Sequence, residues 1–322
     1  MIHEPMLLAV QEASKYIGAT APNPPVGACL VKDGVMIAVG AHKKAGEDHA
    51  EVACIKKALE THSKESLKGS TLYVTLEPCN HQGKTPPCTK AILDAGIQKV
   101  VVGTKDINPQ VAGGGASFLK QNGIEIFNST YKAECKKLIK PFEKLALKKL
   151  PYIVHKTAFR KNENGDLSMI PDAGKKTFAS EKSLKLAHEI RKTCDGFMTG
   201  IGTVLCDYPE FTVRHVPDHP LKKRFLVVVG NHEKLKKSVH FSTYESWKKS
   251  RFYQGLEVVE LDSTQEALSF LGQKGLLKVL IEAGPKLSKK VIDDGLWDER
   301  VVIIASEEGA EDFVSVEYNE TK

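Results

Sequence analysis

His49, Glu51, Cys79 and Cys88 stand in three short strings: His49-Ala50-Glu51, Pro78-Cys79 and Pro87-Cys88. One imidazole and two thiols make a donor set that suits Zn²⁺. Three protein ligands leave the fourth tetrahedral position to water, as in catalytic zinc sites, whereas structural sites close with a fourth side chain. No obvious fourth ligand accompanies these three. Glu51, two residues from the imidazole, is a carboxylate placed to move protons beside an acidified water. A stray histidine and two cysteines are more often core residues than ligands, but this order and context argue for a shared ion. The chemistry such a set performs is hydrolysis: water attacks an electrophilic carbon while Glu51 takes a proton and returns it to the leaving group.

These residues need elements to hold them. Apolar periodicity predicts a helix over 49–59, with His49 at its very start and Glu51 in its first turn. Cys79 follows a strand read over 71–76, and Cys88 opens a helix over 88–95 that Gly96 stops. The positive end of that helix favours a thiolate at Cys88. Further helices are read over 5–17, 118–121 and 131–147, and strands over 26–31, 35–39, 99–103 and 124–127. Lys32-Asp33-Gly34 marks a hairpin turn. The result is a mixed sheet layered with helices.

A boundary falls at Lys148-Lys149-Leu150-Pro151, because proline disfavours helix at the residue before it. The 322 residues therefore divide into domains 1–147 and 151–322. In the second, strands are read over 152–158, 196–200, 224–229, 279–282 and 300–304, and helices over 181–193, 265–272 and 286–293. Residues 162–176 read as a flexible loop, and the chain after 304 as a polar tail. The fold class is α/β in both halves.

Composition narrows the function. Hydrophobic residues make up 41% and charged residues 27%, the balance of a soluble globular protein. No apolar run nears the ~20 residues of a membrane span, and no signal peptide is read, so the expected location is cytoplasmic. Seven cysteines at irregular spacing argue against a disulfide framework, and Cys29, Cys54 and Cys194 read as core filler. Net charge is +6, with lysines dense over 132–149; interspersed acids and few aromatics make this a solvated helix face rather than a nucleic-acid surface.

The pattern H-x-E…P-C…C resembles the zinc-dependent deaminases, in which the glutamate shuttles protons and is not a ligand. Base-editing members typically have two residues between the cysteines. Here eight intervene, and stacking aromatics are sparse, which argues against nucleic acid as substrate. Further strings narrow the resemblance: Pro22-Asn23-Pro24-Pro25-Val26-Gly27, His42 with Ala45-Gly46, Thr75-Leu76-Glu77-Pro78-Cys79-Asn80-His81-Gln82-Gly83-Lys84-Thr85-Pro86-Pro87-Cys88, and Asp106-Ile107-Asn108-Pro109-Gln110-Val111 with Gly113-Gly114-Gly115. Together they resemble the bifunctional deaminase–reductases of riboflavin biosynthesis. The resemblance implies a cytidine-deaminase-like three-layer domain acting on 2,5-diamino-6-(5-phosphoribosylamino)pyrimidin-4-one. It also implies substrate contacts from Asn23, His42, His81, Lys84 and Asn108, and a homo-oligomer. For each of these residues alone, a turn or capping role is the simpler alternative.

The run from Gly200 to Arg214 (Gly200-Ile201-Gly202-Thr203 through Asp207-Tyr208-Pro209-Glu210-Phe211-Thr212-Val213-Arg214) resembles the reductase half of that family. The resemblance implies a dihydrofolate-reductase-like domain using NADPH to reduce the phosphoribosyl group to a ribityl chain. It assigns Lys156, Ala158, Thr203, Asp207, Ala283 and Gly284 to the cofactor, and Arg191, Phe211, Arg214 and Glu282 to the phosphorylated substrate. The sequence departs from the family at three places. The S-L-D-G stretch is replaced by Phe159-Arg160-Lys161-Asn162-Glu163-Asn164-Gly165, the W-I-T element by Thr177-Phe178-Ala179, and the E-G-G turn by Glu282-Ala283-Gly284. Ala283 is tolerable with a negative φ and harmful with a positive one. The alternative is a deaminase whose C-terminal half serves folding or assembly.

Overall fold

The computed structural model describes residues 4–81, 86–107, 114–161, 164, 166–169, 180–252, 254–306 and 312–319. The chain divides into two compact units, Met1–Lys148 and Lys149–Lys322.

In chain order the first unit contains α1 (Pro5–Ser14), β1 (Gly27–Lys32), β2 (Val35–Ala41), α2 (Ala50–Leu59), α3 (Lys64–Leu67), β3 (Thr71–Leu76), α4 (Cys88–Asp94), β4 (Lys99–Thr104), α5 (Gly115–Gln121), β5 (Glu125–Asn128) and α6 (Lys132–Lys148). Its sheet runs β2-β1-β3-β4-β5, antiparallel at β2-β1-β3 and parallel at β3-β4-β5. The β1–β2 turn is Asp33-Gly34, both with positive φ (50° and 78°), the conformation a tight two-residue hairpin requires.

Strand alternation builds the layers. Ala28, Leu30, Leu72, Val74, Val100 and Val102 face α2, α4 and α5, whereas Cys29, Val31, Tyr73 and Val101 face α1 and α6. The helices lie close to the sheet. A Cβ at Gly40 would fall 2.5 Å from the Cys54 nitrogen on α2, so only glycine fits there. The lysines of α6 at 132, 136, 137 and 140 face solvent, and Cys135, Leu138 and Ile139 face inward.

The second unit contains β6 (Tyr152–Lys161), β7 (Leu167–Met169), α7 (Glu181–Lys192), β8 (Gly196–Gly200), α8 (Ile201–Asp207), β9 (Arg224–Val229), α9 (His232–Lys236), α10 (Phe241–Phe252), β10 (Leu256–Leu261), α11 (Thr264–Gln273), β11 (Lys278–Ile281), α12 (Pro285–Asp293), β12 (Glu299–Ala305) and β13 (Phe313–Tyr318). Strand order is β10-β9-β8-β11-β6-β12-β13, with β7 on β6; the ladders from β10 to β12 are parallel. Both faces are covered: Phe197, Leu226, Val228 and Leu280 pack towards one core, and Met198, Val227, Val279 and Ile281 towards another that α11 and α12 complete. That is why these strands read as unbroken apolar runs.

Two expectations are corrected. The supposed polar tail contains β13, which pairs antiparallel with β12 over Phe313–Tyr318. Its side chains are mostly exposed, so no burial pattern marks it in the sequence. Within the presumed loop 162–176, Leu167–Met169 pairs with Phe159–Lys161. The helices α8, α9 and α10 and the strand β10 were likewise not foreseen; α10 presents a mixed face in which Tyr244 and Trp247 alone among its aromatics are buried.

Candidate functional site

His49 is the N-cap of α2, with extended φ/ψ (−70°, 162°). Its ring is thus free of the helical direction and turns to the end of β3. Its Nδ1 lies 3.5 Å from Cys79 Sγ and 3.2 Å from Cys88 Sγ, and the three donor atoms all fall within 4.8 Å of one another. Tetrahedral zinc with ordinary Zn–N and Zn–S bonds requires N···S edges of about 3.5 Å. The donor set and its spacing therefore fit zinc.

The Cys88 backbone N–H points at Cys79 Sγ (3.4 Å). The start of α4 thus also offers a backbone donor to the Cys79 sulfur, in addition to the Cys88 side chain that it carries. The neighbouring Cys88 thiol, with help from His49 and against burial, lowers the Cys79 thiol from its usual range. The Cys88 thiol is correspondingly pushed up, first by its bond to Cys79 and then by burial.

Glu51 is buried in the first turn of α2, in hydrogen-bond contact with Cys88. Burial, reinforced by the Cys79 charge, pushes its carboxyl up to about 7. A carboxyl poised there can both take and give a proton near neutrality. His42 is buried, with its ring 5.3 Å from that of His49. Its Nδ1 donates to Asp48 O (3.0 Å), which leaves Nε2 to accept from Asn23 Nδ2 (3.1 Å). Burial lowers its pKa, in keeping with this neutral form. Asn23 is thus joined to the site through His42 and is not merely a turn residue. His81 is exposed at the end of the described segment, and Lys84 and Asn108 lie outside the described residues.

The second cluster gathers at the carboxyl end of β11, the side of an open parallel sheet where ligands bind. Glu282 follows β11, Lys156 lies on β6 just past its last pairing with β11, and Arg191 is in the last turn of α7. Glu282 Oε1 pairs with Lys156 Nζ (2.7 Å), and Oε2 with Arg191 Nε (2.8 Å). Burial disfavours the carboxylate, yet Arg191 and Lys156 hold it down at about 2. Two cations against one anion leave a net positive pocket.

Thr203 Oγ1 accepts from Gly284 N (2.8 Å), which ties α8 to the turn opening α12. Asp207 stands four residues beyond Thr203 on the same helix face, with a carboxyl that burial raises. Ala283 is absent from the residues with positive φ and packs against the core under β11, so its methyl is accommodated. Ala158 is buried on β6, opposite Ile303. Phe211, with φ 52°, stacks on Phe197, and Arg214 pairs with Glu210. Residues 177–179 fall outside the described residues.

Residues 2–104 match the family model for the cytidine and deoxycytidylate deaminase zinc-binding region, and residues 166–307 that for the RibD C-terminal domain. The riboflavin biosynthesis protein RibD of Aquifex aeolicus is 36% identical over 313 residues, covering 93% of this chain and 85% of that protein. This chain belongs to the RibD family. The Escherichia coli RibD is 32% identical, covering 93% of this chain and 86% of that protein. A crystal structure of a diaminohydroxyphosphoribosylaminopyrimidine deaminase/5-amino-6-(5-phosphoribosylamino)uracil reductase from Thermotoga maritima superposes with TM-score 0.77 at 32% identity, covering 95% of this chain and 87% of that one.

Some residues that shape the site were not singled out from the sequence. Glu77 Oε1 accepts from Ala116 N (3.1 Å), anchoring the start of α5 beside Pro78-Cys79. A Cβ at Gly115 would sit 1.8 Å from Pro78 O, so α5 approaches the cysteine turn only as glycine. Asn80 Oδ1 accepts from Thr89 Oγ1 (2.8 Å), and Thr89 N donates to Cys79 O (3.3 Å), locking one cysteine to the helix of the other. Glu77 and Asn80 were visible within the Pro-Cys string; their roles depend on α4 and α5.

Among the described residues no helix is long and apolar enough to cross a membrane.

Proposed function

We propose that this RibD-family chain catalyses two consecutive steps of riboflavin biosynthesis. Residues 1–147 hydrolyse the 2-amino group of 2,5-diamino-6-(5-phosphoribosylamino)pyrimidin-4-one, and residues 151–322 reduce the phosphoribosyl group of the product to a ribityl chain. The observation that carries the reading is the three-donor cluster with Glu51 buried against it.

His49, Cys79 and Cys88 would hold the zinc. When bound, zinc acidifies water and so supplies a nucleophile at neutral pH. Glu51 would take one proton from the attacking water and pass it to the ring nitrogen, then take the second from the hydroxyl added to the ring carbon and give it to the departing amine, which leaves as ammonia. Asn23, whose amide nitrogen His42 holds, presents its amide oxygen to the pyrimidine, with the His42 ring, His81, Lys84 and Asn108 as further substrate contacts.

In the second half, Lys156, Ala158, Thr203, Asp207, Ala283 and Gly284 receive NADPH, which supplies the hydride. Glu282 holds Lys156 and Arg191 in fixed positions, and the net positive charge suits a phosphorylated substrate that Arg191, Phe211 and Arg214 also meet. All seven cysteines are free thiols, which fits a reducing, cytoplasmic setting, and the family reading carries with it a homo-oligomer. Anaerobic incubation with the diaminopyrimidine, with and without NADPH, tests both halves by mass spectrometry. Deaminated product without NADPH and a further gain of two hydrogens with it are expected; no ammonia release in the zinc-loaded protein overturns the reading.

A further inference from the structure

Residues 208–214, after α8, have no regular secondary structure yet carry Phe211 and Arg214. Their backbone is unusual: Tyr208 has φ 44° and Phe211 φ 52°. Bulky side chains hold that left-handed conformation only where the surroundings over-determine it. The surroundings here are specific. Trp247 Nε1 donates to Pro209 O (2.9 Å), Phe211 stacks on Phe197 at 5.8 Å, and Arg191 Nη1 donates to Thr212 O (3.3 Å). The last tie is His188, whose Nδ1 accepts the Arg214 backbone N–H at 3.0 Å.

His188 and Arg191 are three residues apart on α7 and reach the segment from one helix face. They grip residues 214 and 212, the two backbone positions flanking Val213. The His188 ring is 1% exposed and lies 4.7 Å from that of His215. Acceptance at Nδ1 requires the neutral Nε2–H tautomer. Burial, with Arg191, His215 and Arg214, disfavours a charge on the ring and outweighs the opposite pull of Glu282. A buried imidazole whose acceptor nitrogen meets the amide of a proposed substrate-binding arginine does more than fill space.

We infer that His188 is a positioning residue of the reductase pocket: by accepting the Arg214 amide it fixes where the Arg214 side chain stands for the phosphorylated substrate, without touching substrate itself. This rests on the reductase reading above. Its partners are the backbone of one loop residue and the helix that carries Arg191, so its loss should weaken substrate binding and leave the cofactor turn at Ala283-Gly284 as it is.

The test uses the full chain with His188→Leu and His188→Asn, the latter because its Oδ1 accepts where Nδ1 did. Reductase KM and kcat are measured on the deaminated phosphoribosyl substrate, the NADPH KM alongside, and ammonia release from the diaminopyrimidine serves as an internal control. His188→Leu should raise the substrate KM about tenfold, the size of one lost hydrogen bond, with the NADPH KM within about twofold and ammonia release unchanged. His188→Asn should return the substrate KM to within about threefold of wild type. A wild-type substrate KM in His188→Leu overturns the inference, as does equal damage in Leu and Asn or an equal rise in both KM values. Nitrogen-15 NMR of the wild-type chain decides independently of any variant's folding. A neutral Nε2–H ring whose Nδ1 resonance moves with substrate but not with NADP⁺ supports the inference; a proton on Nδ1 sinks it. A wild-type chain that releases ammonia but never oxidises NADPH defeats the reductase reading itself, an outcome distinct from the variant results.

Discussion

The His49–Cys79–Cys88 cluster and the Lys156–Arg191–Glu282 cluster each draw three side chains from separate elements, but they differ in what they leave undone. The first gathers an imidazole nitrogen and two sulfurs that face a common point. A divalent ion completes it. The second is already complete: each carboxylate oxygen of Glu282 has its own cation, and the group as a whole retains one positive charge. The first is a coordination set and the second a rigid, charge-biased framework for an anionic ligand. The difference teaches that similar convergence of polar groups marks chemistry in one unit and positioning in the other.

Removing a ligand should break that comparison most visibly. Cys79→Ser or Cys88→Ser is expected to abolish bound zinc by elemental analysis and ammonia release with it, while NADPH-dependent reduction of supplied deaminated substrate persists. Glu51→Gln separates metal from proton transfer: zinc content stays at wild-type level while deaminase turnover falls by about 10²–10⁴ or more. The corresponding cut in the other cluster acts on stability. Glu282→Ala leaves Lys156 and Arg191 buried without a counter-charge and should cost about 3–5 kcal/mol in denaturant unfolding, with zinc content unchanged.

Acid sharpens the same contrast. Glu282 is held at about 2 when folded, below the ordinary 4.5, so its stabilisation is present above about pH 4.5 and is lost as pH falls towards 2. His155 and His188, each kept neutral mainly by burial down to about 4 from an ordinary 6.5, act in the same sense from pH 6.5 downward. Unfolding followed by a probe in residues 149–322 should therefore show stability declining from about pH 6.5. A flat profile between pH 6.5 and 4 would remove both histidines from this account, and His155→Gln separates their shares. The smallest effect belongs to Ala283→Gly. Because the methyl packs on the core and φ is not positive, restoring glycine should leave the NADPH KM within about twofold; a tenfold gain would mean the methyl crowds the cofactor.

How much of this was legible follows from where each residue stands. His49, Cys79 and Cys88 occupy element ends inside contiguous strings, and the periodicity around them predicted α2, β3 and α4 within a residue or two. Asn23 was ambiguous between turn and site until His42 was seen to bond it. Arg191 and Glu282 came from resemblance, and neither their direct pairing nor the Lys156 contact on the other carboxylate oxygen was foreseen. The strands β10 and β13 escaped because edge strands bury little, and backbone pairing leaves no mark on side-chain alternation.

By itself the sequence determined the ligand types, the carboxylate beside them, the layered α/β character and the family, because these depend on residue identity and on spacing along one or two elements. Only the tertiary structure decided that the His49, Cys79 and Cys88 donor atoms meet at one point, that Ala283 turns its methyl inward, and that His188 grips the Arg214 backbone. Those outcomes depend on hydrogen-bond direction and strand register between segments tens of residues apart, and no local pattern encodes either.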